Sequence, residues 1–439
     1  MIFAAYYGEG NIVFNQAIGS GSKIIFHQHP RERVAKVAPW LTVDGDPYPA
    51  VINGRIKWIL DGYTTLDDYP YAQPTMLGQA ATDSLTGPAR PRLPNEQINY
   101  IRNSVKATVD AYDGTVTLYA MDDSDPVLRT WMNVFPGTVA PATAISDDLR
   151  RHVRYPEDLF KVQRQMLTRY HVPDPAVFFT NDDFWNVPAD PTQNQPGIDQ
   201  PPYYILAGPP NRPGPAQFQL TSALVSLRRP FLASYLSVAC DPRDYGKITV
   251  LELPSDSQTL GPEQVQNKFV SSAQVSTELN LLRQSDTDVL FGNLLTLPVG
   301  GGLLYVEPVY VQRAHQQAAF PQLNRVLAGY GDRIGYAPTL RDALNQVFGP
   351  GAADTIPLPG QQPPAPDHSF TRSPTAAGAG VASPDLRRAV TDLTDAINRL
   401  HAAQAAGDFA AQGQALADLD TATKRFNAAV SATTPAPSR

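Results

Sequence analysis

The sequence predicts a mixed α+β body over residues 1–348, a linker over 349–383 and a helical hairpin over 384–439. Three observations lead there. Short apolar runs separated by Asn, Gly and Pro read as antiparallel strands. Between them lie segments whose apolar residues recur at helical spacing behind a capping residue. At residue 349 the composition turns to Pro, Gly, Ala and Ser, and beyond 384 helical spacing resumes.

The elements follow in order. PYPAVINGRIKWIL places Asn53-Gly54 between two apolar stretches, and that pair suits a type I′ hairpin turn because both positions need φ > 0. In the second strand Ile56, Trp58 and Leu60 alternate with Arg55 and Lys57, which buries one face. A helix is expected after Leu93-Pro94, capped by Asn95, with Ile98, Ile101, Val105 and Val109 as its stripe. TVTLYAM then reads as a strand. A second helix opens at Pro156, with Leu159, Val162, Met166, Leu167 and Tyr170 on one side. Residues 172–217 are dense in Pro, Asp, Asn and Gln and read as an ordered wrapping segment between two possible subdomains, about 1–171 and 200–348. Strands YYILAG, FQLTSALVSL, LASYLSVAC and KITVLELP follow, then a helix near Pro262 and two strands around Gly300, Gly301 and Gly302. A short helix capped by Thr339 closes the body. In the tail, Leu386, Val390, Leu393, Ile397 and Leu400 face Leu416, Leu419 and Phe426 as the stripes of a helical hairpin.

Composition narrows the function. Of 439 residues, 42% are apolar and 18% charged, an ordinary globular balance. A net charge of −7 argues against a nucleic-acid partner, which needs clustered positive charge. The lone Cys240 excludes an intrachain disulfide framework and any zinc site built on several cysteines. No apolar run approaches the ~18 residues that span a bilayer, and MIFAAYYGEGN lacks the basic start of a signal peptide. No cofactor is expected.

Candidate chemistry is sparse. The three glycines at 300–302 precede a strand-like run, so they suit a hairpin turn better than a phosphate loop. His27 and His29 would share one face of a strand, and Asp122, Asp123 and Asp125 cluster; both are weak metal candidates without a full ligand set. WILDGYTTLDDYPYAQ is the most unusual stretch: Trp58, Asp61, Tyr63, Asp67, Tyr69 and Tyr71 mix acids with rings, as carbohydrate sites do. The structural alternative packs Tyr69 and Tyr71 inward beside the hairpin. No catalytic residue is assigned.

HPRERVAKVAPWLTVDGDPYPAVINGRIKWILDGYTT, INYIRNSVKATVDAYDGTVTLY, RYPEDLFKVQ, DYGKITVLELP, GNLLTLPVGGGLLYVEPVYVQ and YGDRIGYAPTLRDAL together resemble uncharacterised protein family 0182, bacterial multi-pass membrane proteins. The resemblance implies an extracytoplasmic domain, here without its own N-terminal transmembrane region, and a cell-membrane location for the whole protein. It brings no activity. The leading expectation is a domain that binds a partner protein or cell-envelope component, with homo-oligomerisation open. The alternatives are an envelope enzyme acting on glycans and part of a transporter of lipid or another envelope molecule.

Overall fold

The computed structural model describes residues 2–353, except 16–18, 20–26, 88–89, 91, 194–196, 211–213, 255, 285–286 and 315–319, together with scattered positions between 388 and 425. Two compact units divide the chain, Met1–Gln361 and Gln362–Arg439.

The first unit opens with helices α1 (Ile2–Tyr7), α2 (Asn11–Phe14) and α3 (Pro30–Val37). Strands β1 (Thr42–Val43), β2 (Tyr48–Ile52) and β3 (Arg55–Leu66) begin the first sheet. Asn53 and Gly54 join β2 to β3 at φ 50° and 76°, with Ile52 opposite Arg55, as a type I′ turn requires. Next come β4 (Thr75–Met76), α4 (Leu77–Ala80), β5 (Gln97–Ile98), β6 (Tyr100–Asp110), β7 (Val116–Ala120), α5 (Pro126–Val134) and β8 (Val139–Ala140). The first sheet runs β1-β3-β6-β7-β8 with β2 on β3, antiparallel except for β7 and β8; β4 and β5 form a two-stranded ribbon.

The helix expected over Ile98–Val109 is therefore β5 and β6. β6 is covered on both faces. Val105, Ala107 and Val109 enter the apolar core under α3 and α5, while Ser104, Lys106 and Thr108 are buried on the other side. The alternation of Ser104, Lys106 and Thr108 with Val105, Ala107 and Val109 is a strand's period of two, which the stripe through Ile98, Ile101, Val105 and Val109 passes over. β3 is covered on both faces as well. Ile56 is exposed and Trp58 and Lys57 are both half-buried, whereas every residue from Ile59 to Thr64 is buried, so the one-sided strand expected there is not found.

Helices α6 (Asp147–His152), α7 (Glu157–Tyr170) and α8 (Pro175–Thr180) lead to the second sheet. Its strands are β9 (Trp185–Asn186), β10 (Tyr203–Ala207), β11 (Gln217–Ser226), β12 (Leu232–Ala239) and β13 (Ile248–Glu252), ordered β10-β11-β12-β13 with β9 on β11. α7 opens at Pro156 as expected and packs Leu159, Phe160 and Val162 against Leu220, Leu224, Leu236 and Val238, a core that also takes Tyr63 and Leu77 from the first sheet's side. Tyr170, expected on its stripe, is exposed.

Helices α9 (Pro262–Ser271) and α10 (Ala273–Gln284) precede the third sheet: β14 (Thr287–Phe291), β15 (Leu295–Val299), β16 (Gly302–Arg313), β17 (Gln322–Tyr330) and β18 (Arg333–Ala337). Its order is β14-β16-β17-β18 with β15 on β16. α9 and α10 cover one face through Val265, Phe269, Val275 and Leu279; α11 (Leu340–Phe348), capped by the Thr339 side chain, covers the other. Gly329 permits the α9 contact, since a Cβ there would meet Phe269 Cε1 at 2.7 Å. The architecture is α+β.

The expected linker lies outside the described residues beyond Ala353. In the second unit the described residues are helical, and Leu419 alone of the expected stripes is among them. Arg399 bridges Asp418 at 2.8 Å and Arg425 bridges Asp392 at 3.4 Å. From 392 to 399 the partner number falls from 425 to 418, the register of two antiparallel helices.

Valine at position 54 would have to hold φ near 76°. Gly54→Val is expected to cost roughly 1–2 kcal/mol and to lower the melting temperature, read by circular dichroism. An unchanged melt would mean the turn does not set this register.

Candidate functional site

The structure separates the acid and aromatic stretch. Asp61 and Tyr63 lie on one side of β3 and are buried. Asp61 is paired directly across the sheet with Lys106, and the two form a buried ion pair. The Tyr63 hydroxyl donates to Asp44. Trp58, on the other side of β3, lines a cleft of about 860 Å³ with His27, Lys36 and Tyr112. Asp67 is exposed. Tyr69 and Tyr71 are exposed as well, contrary to the inward packing expected, because the chain has left the sheet. Tyr69 stacks on Tyr100 at 5.5 Å, and its backbone is held by Asn99; Tyr71 sits at φ 60°. The stretch therefore forms no single cleft.

The other sequence candidates have local roles. His29 precedes α3, not a strand, and its Nδ1 accepts from Arg31 N–H at 3.3 Å; His27 pairs with Glu32. Asp122 pairs with Arg102 at 2.9 Å, and the Asp123 carbonyl accepts from Arg129. Asp125 caps α5 and accepts from Thr64, Ser104 and Tyr100 at 2.5–2.7 Å. Burial would raise its carboxyl, but these hydrogen bonds win and hold it below the usual range. Among the described residues, no three of His, Cys, Asp and Glu gather where a metal could bind.

Asp61 belongs to a buried ionic layer between the first sheet and α7. Lys161 Nζ lies 2.6 Å from Asp83, 3.1 Å from Glu157 and 3.2 Å from Asp158. Arg90 reaches Glu157 at 3.2 Å, and Arg154 reaches Asp46 at 2.6 Å. One lysine cannot neutralise three carboxylates. Burial, with Asp44 nearby, pushes Asp158 up to about 7, and burial raises Glu157. The cavity inside this layer is about 10 Å³, room for one water at most. It is too small for a ligand, and its chemistry is that of a structural core.

The open site lies elsewhere. A groove of about 1030 Å³ runs between the second sheet, α9 and the third sheet. Tyr235, Phe269 and Tyr305, all nearly buried, form its floor. Leu251, Leu253 and Leu260 line one wall, and Val299, Leu303 and Ile334 the other. The turns at Gly300–Gly301 and Gly331, at positive φ, form lips that carry no side chain. Floor hydroxyls are spent inward: Tyr305 donates to Leu260 O at 2.6 Å, and burial pushes Tyr235 up to about 12. At the rim, Lys268 pairs with Asp332 at 2.9 Å. An apolar floor and walls, with Glu252, Gln258, Thr259, Lys268, Asp332 and Arg333 also on the lining, suit an elongated, amphipathic ligand. Sequence reasoning missed it, since its floor comes from three segments far apart in the chain. Only the glycine turn was singled out beforehand, and it is a hairpin turn as expected.

One pleat along β16 from Tyr305, Glu307 is fully buried and neither oxygen has a hydrogen-bond partner. Burial pushes its carboxyl up to about 9.

The family model of an uncharacterised protein family (UPF0182) matches residues 1–282. The chain belongs to this family. UPF0182 relatives cover nearly all of it: one from Saccharopolyspora erythraea is 55% identical over 437 residues, 97% of this chain and 44% of its own length. One from Rhodococcus jostii is 51% identical over 449 residues, 98% of this chain and 45% of its own. One from Mycobacteroides abscessus is 50% identical over 443 residues, 98% and 44%. This UPF0182 chain thus spans less than half the length of the curated relatives it matches, and the alignments include the third sheet, which begins where the family model ends. No solved structure matches it.

Two outcomes follow from the buried charges. Lys106→Met leaves Asp61 uncompensated and is expected to cost about 3–5 kcal/mol, while adding Asp61→Leu should recover much of it. Equal destabilisation in the single and double variants, measured by urea unfolding, would contradict the pairing. For Glu307 the folded pKa lies above the unfolded one, so its contribution is complete below about pH 4.5 and is lost as pH rises toward 9. The loss is at most about 1.4 kcal/mol per pH unit. Glu307→Gln should match the wild-type melting temperature near pH 5 and exceed it by several degrees at pH 8. Parallel pH profiles for the two proteins would refute a buried neutral acid.

Proposed function

We propose that this chain is the extracytoplasmic binding domain of a membrane protein, and that its groove seats a cell-envelope component or a partner protein's apolar segment. The observation that carries this reading is the groove itself: an open trough of about 1030 Å³ with apolar walls and a buried aromatic floor. Apolar surface left open at this scale marks a ligand or partner site more often than it marks bare surface. The membrane part of the reading rests on the family resemblance and on the greater length of the relatives, which leaves room for segments this chain does not hold. No helix among the described residues is long and apolar enough to cross a membrane.

The glycan reading keeps one supporting observation. Trp58 and Tyr112 share the cleft of about 860 Å³ with Asp110 and Asp113, a mixture of rings and acids. Asp61 and Asp67, where that reading began, are not part of it. Asp110 is already held by two bonds from Arg55, at 2.7 and 2.8 Å. The groove is the stronger seat.

The test uses N-phenyl-1-naphthylamine, an apolar dye that fluoresces on leaving water. The wild-type chain should enhance its fluorescence saturably. Val299→Glu places a charge on the wall at a residue already 42% exposed, so folding should survive. Affinity should fall at least about tenfold, because the carboxylate must be desolvated under the dye. No saturable enhancement with the wild type, or an unaltered affinity in the variant, would remove the groove as the site.

A further inference from the structure

β13 closes one side of the groove and is the last strand of its sheet, pairing only with β12 among the described strands. Two hydrogen bonds fix which way its main chain points. Ala239 N–H donates to Lys247 O at 3.1 Å, and Leu253 N–H donates to Ala233 O at 2.8 Å. Hydrogen-bonded pairs in an antiparallel ladder recur at every second residue, so Lys247, Thr249, Leu251 and Leu253 turn their polar groups toward β12. Ile248, Val250 and Glu252 turn theirs outward, where no described strand lies.

Three other edge strands of these sheets carry protection that β13 lacks. β15 contains Pro298, which has no N–H to offer. β18 packs under α11. β10 lies between Pro201-Pro202 and Pro209-Pro210, which confine any pairing to its own length. β13 reads ITVLE, with no proline, no bulge and no charge before its last residue, and Val250 at its centre is 39% exposed. An open apolar edge of this kind is a template for another strand. Its ends are marked by opposite charges: Lys247 precedes the strand and Glu252 ends it, both exposed.

We propose that β13 is a strand-addition edge for an extended polypeptide of a partner protein. The incoming segment pairs with the outward groups of Ile248, Val250 and Glu252 and lays alternate side chains over Leu251 and Leu253 into the groove. Charge complementarity sets its pattern: apolar at alternate positions, a basic residue against Glu252 and an acidic one against Lys247. The proposal rests on the groove being the binding site and names its occupant as peptide, not lipid.

The experiment selects phage-displayed random peptides of about ten residues on the full chain, enough to cover the edge at roughly 3.3 Å per residue. Selected peptides, labelled with fluorescein, are then titrated against variants, with the naphthylamine dye in parallel. Val250→Pro deletes one outward donor and no ladder bond. It should keep the melting temperature and the dye affinity while weakening peptide binding at least about tenfold. Leu251→Pro deletes an inward bond and should lower the melt, which checks the direction of the strand. Glu252→Lys should weaken the same peptides and, on reselection, turn the basic preference acidic; this variant decides the matter if Val250→Pro does not fold. Dye binding with no peptide selected, or peptide affinity indifferent to both edge variants, overturns strand addition and leaves the groove standing. Loss of both dye and peptide binding in the wild type overturns the groove with it.

Discussion

The fold depends on taking charges out of water between the first sheet and α7. Lys106 on β6 is directly opposite Asp61 on β3, and Lys161 on α7 meets Asp83, Glu157 and Asp158. An isolated buried charge is costly, so each group makes sense only where its partners already sit. That requirement fixes more than one element. Asp83 comes from the loop after α4, Asp158 also accepts from the backbone of Gly45 at 3.1 Å, and the Lys106 ammonium donates to Arg154 O at 2.9 Å. Sheet, loop and helix are locked in one arrangement, because sliding any of them strands a charge.

The lock reaches the second sheet through tyrosines. Tyr204 on β10 donates to Tyr155 O at 2.6 Å, and Tyr245 donates to Arg154 O at 3.3 Å. The Arg154 guanidinium lies over the rings of Tyr48 and Tyr204, at 3.9 and 4.7 Å. Segments on either side of residues 172–199 therefore share one core, with Tyr63 and Phe160 among Leu220 and Leu236. In the Pro-rich stretch between them, Asp190 accepts from Thr192, and Gln200 donates to Leu294 O at 3.1 Å.

How much of this the sequence disclosed follows the physics of burial. Turns and caps were legible because they are local. Asn53-Gly54, the glycines before β16, Pro156 and Thr339 each act within four residues. β6 was misread because Ile98, Ile101, Val105 and Val109 also fall at helical spacing, although Ser104, Lys106 and Thr108 alternate with Val105, Ala107 and Val109 as the two faces of a strand do. Nothing in the sequence says that Lys106 finds an acid opposite. The acid and aromatic stretch misled for a related reason. Its residues are adjacent in sequence, yet β3 turns Trp58 to one side and Asp61 and Tyr63 to the other, then releases Tyr69 and Tyr71 into solvent. The groove was illegible for the opposite reason, since Tyr235, Phe269 and Tyr305 are near in space and distant in the chain.

The ionic layer and the groove divide the labour of the body. Where charges are buried the cavity has shrunk to about 10 Å³, and motion would cost ion pairs. The groove is bounded mainly by apolar contacts and by backbone, with one ion pair, Lys268–Asp332, at its rim. Leu232 N–H donates to Thr259 O at 2.8 Å and Gly261 N–H to Pro230 O at 3.2 Å, so the segment entering α9 is pinned to the second sheet by main-chain bonds alone. A Cβ at Gly261 would stand 2.4 Å from Pro230 O, which leaves no slack in that join. Apolar contacts are non-directional and tolerate exchange of one neighbour for another, whereas a buried ion pair does not. A site that must accept a ligand and let it go is therefore better built where apolar walls and backbone do most of the holding. The strand that borders it, β13, is tied on one side only, by the ladder to β12.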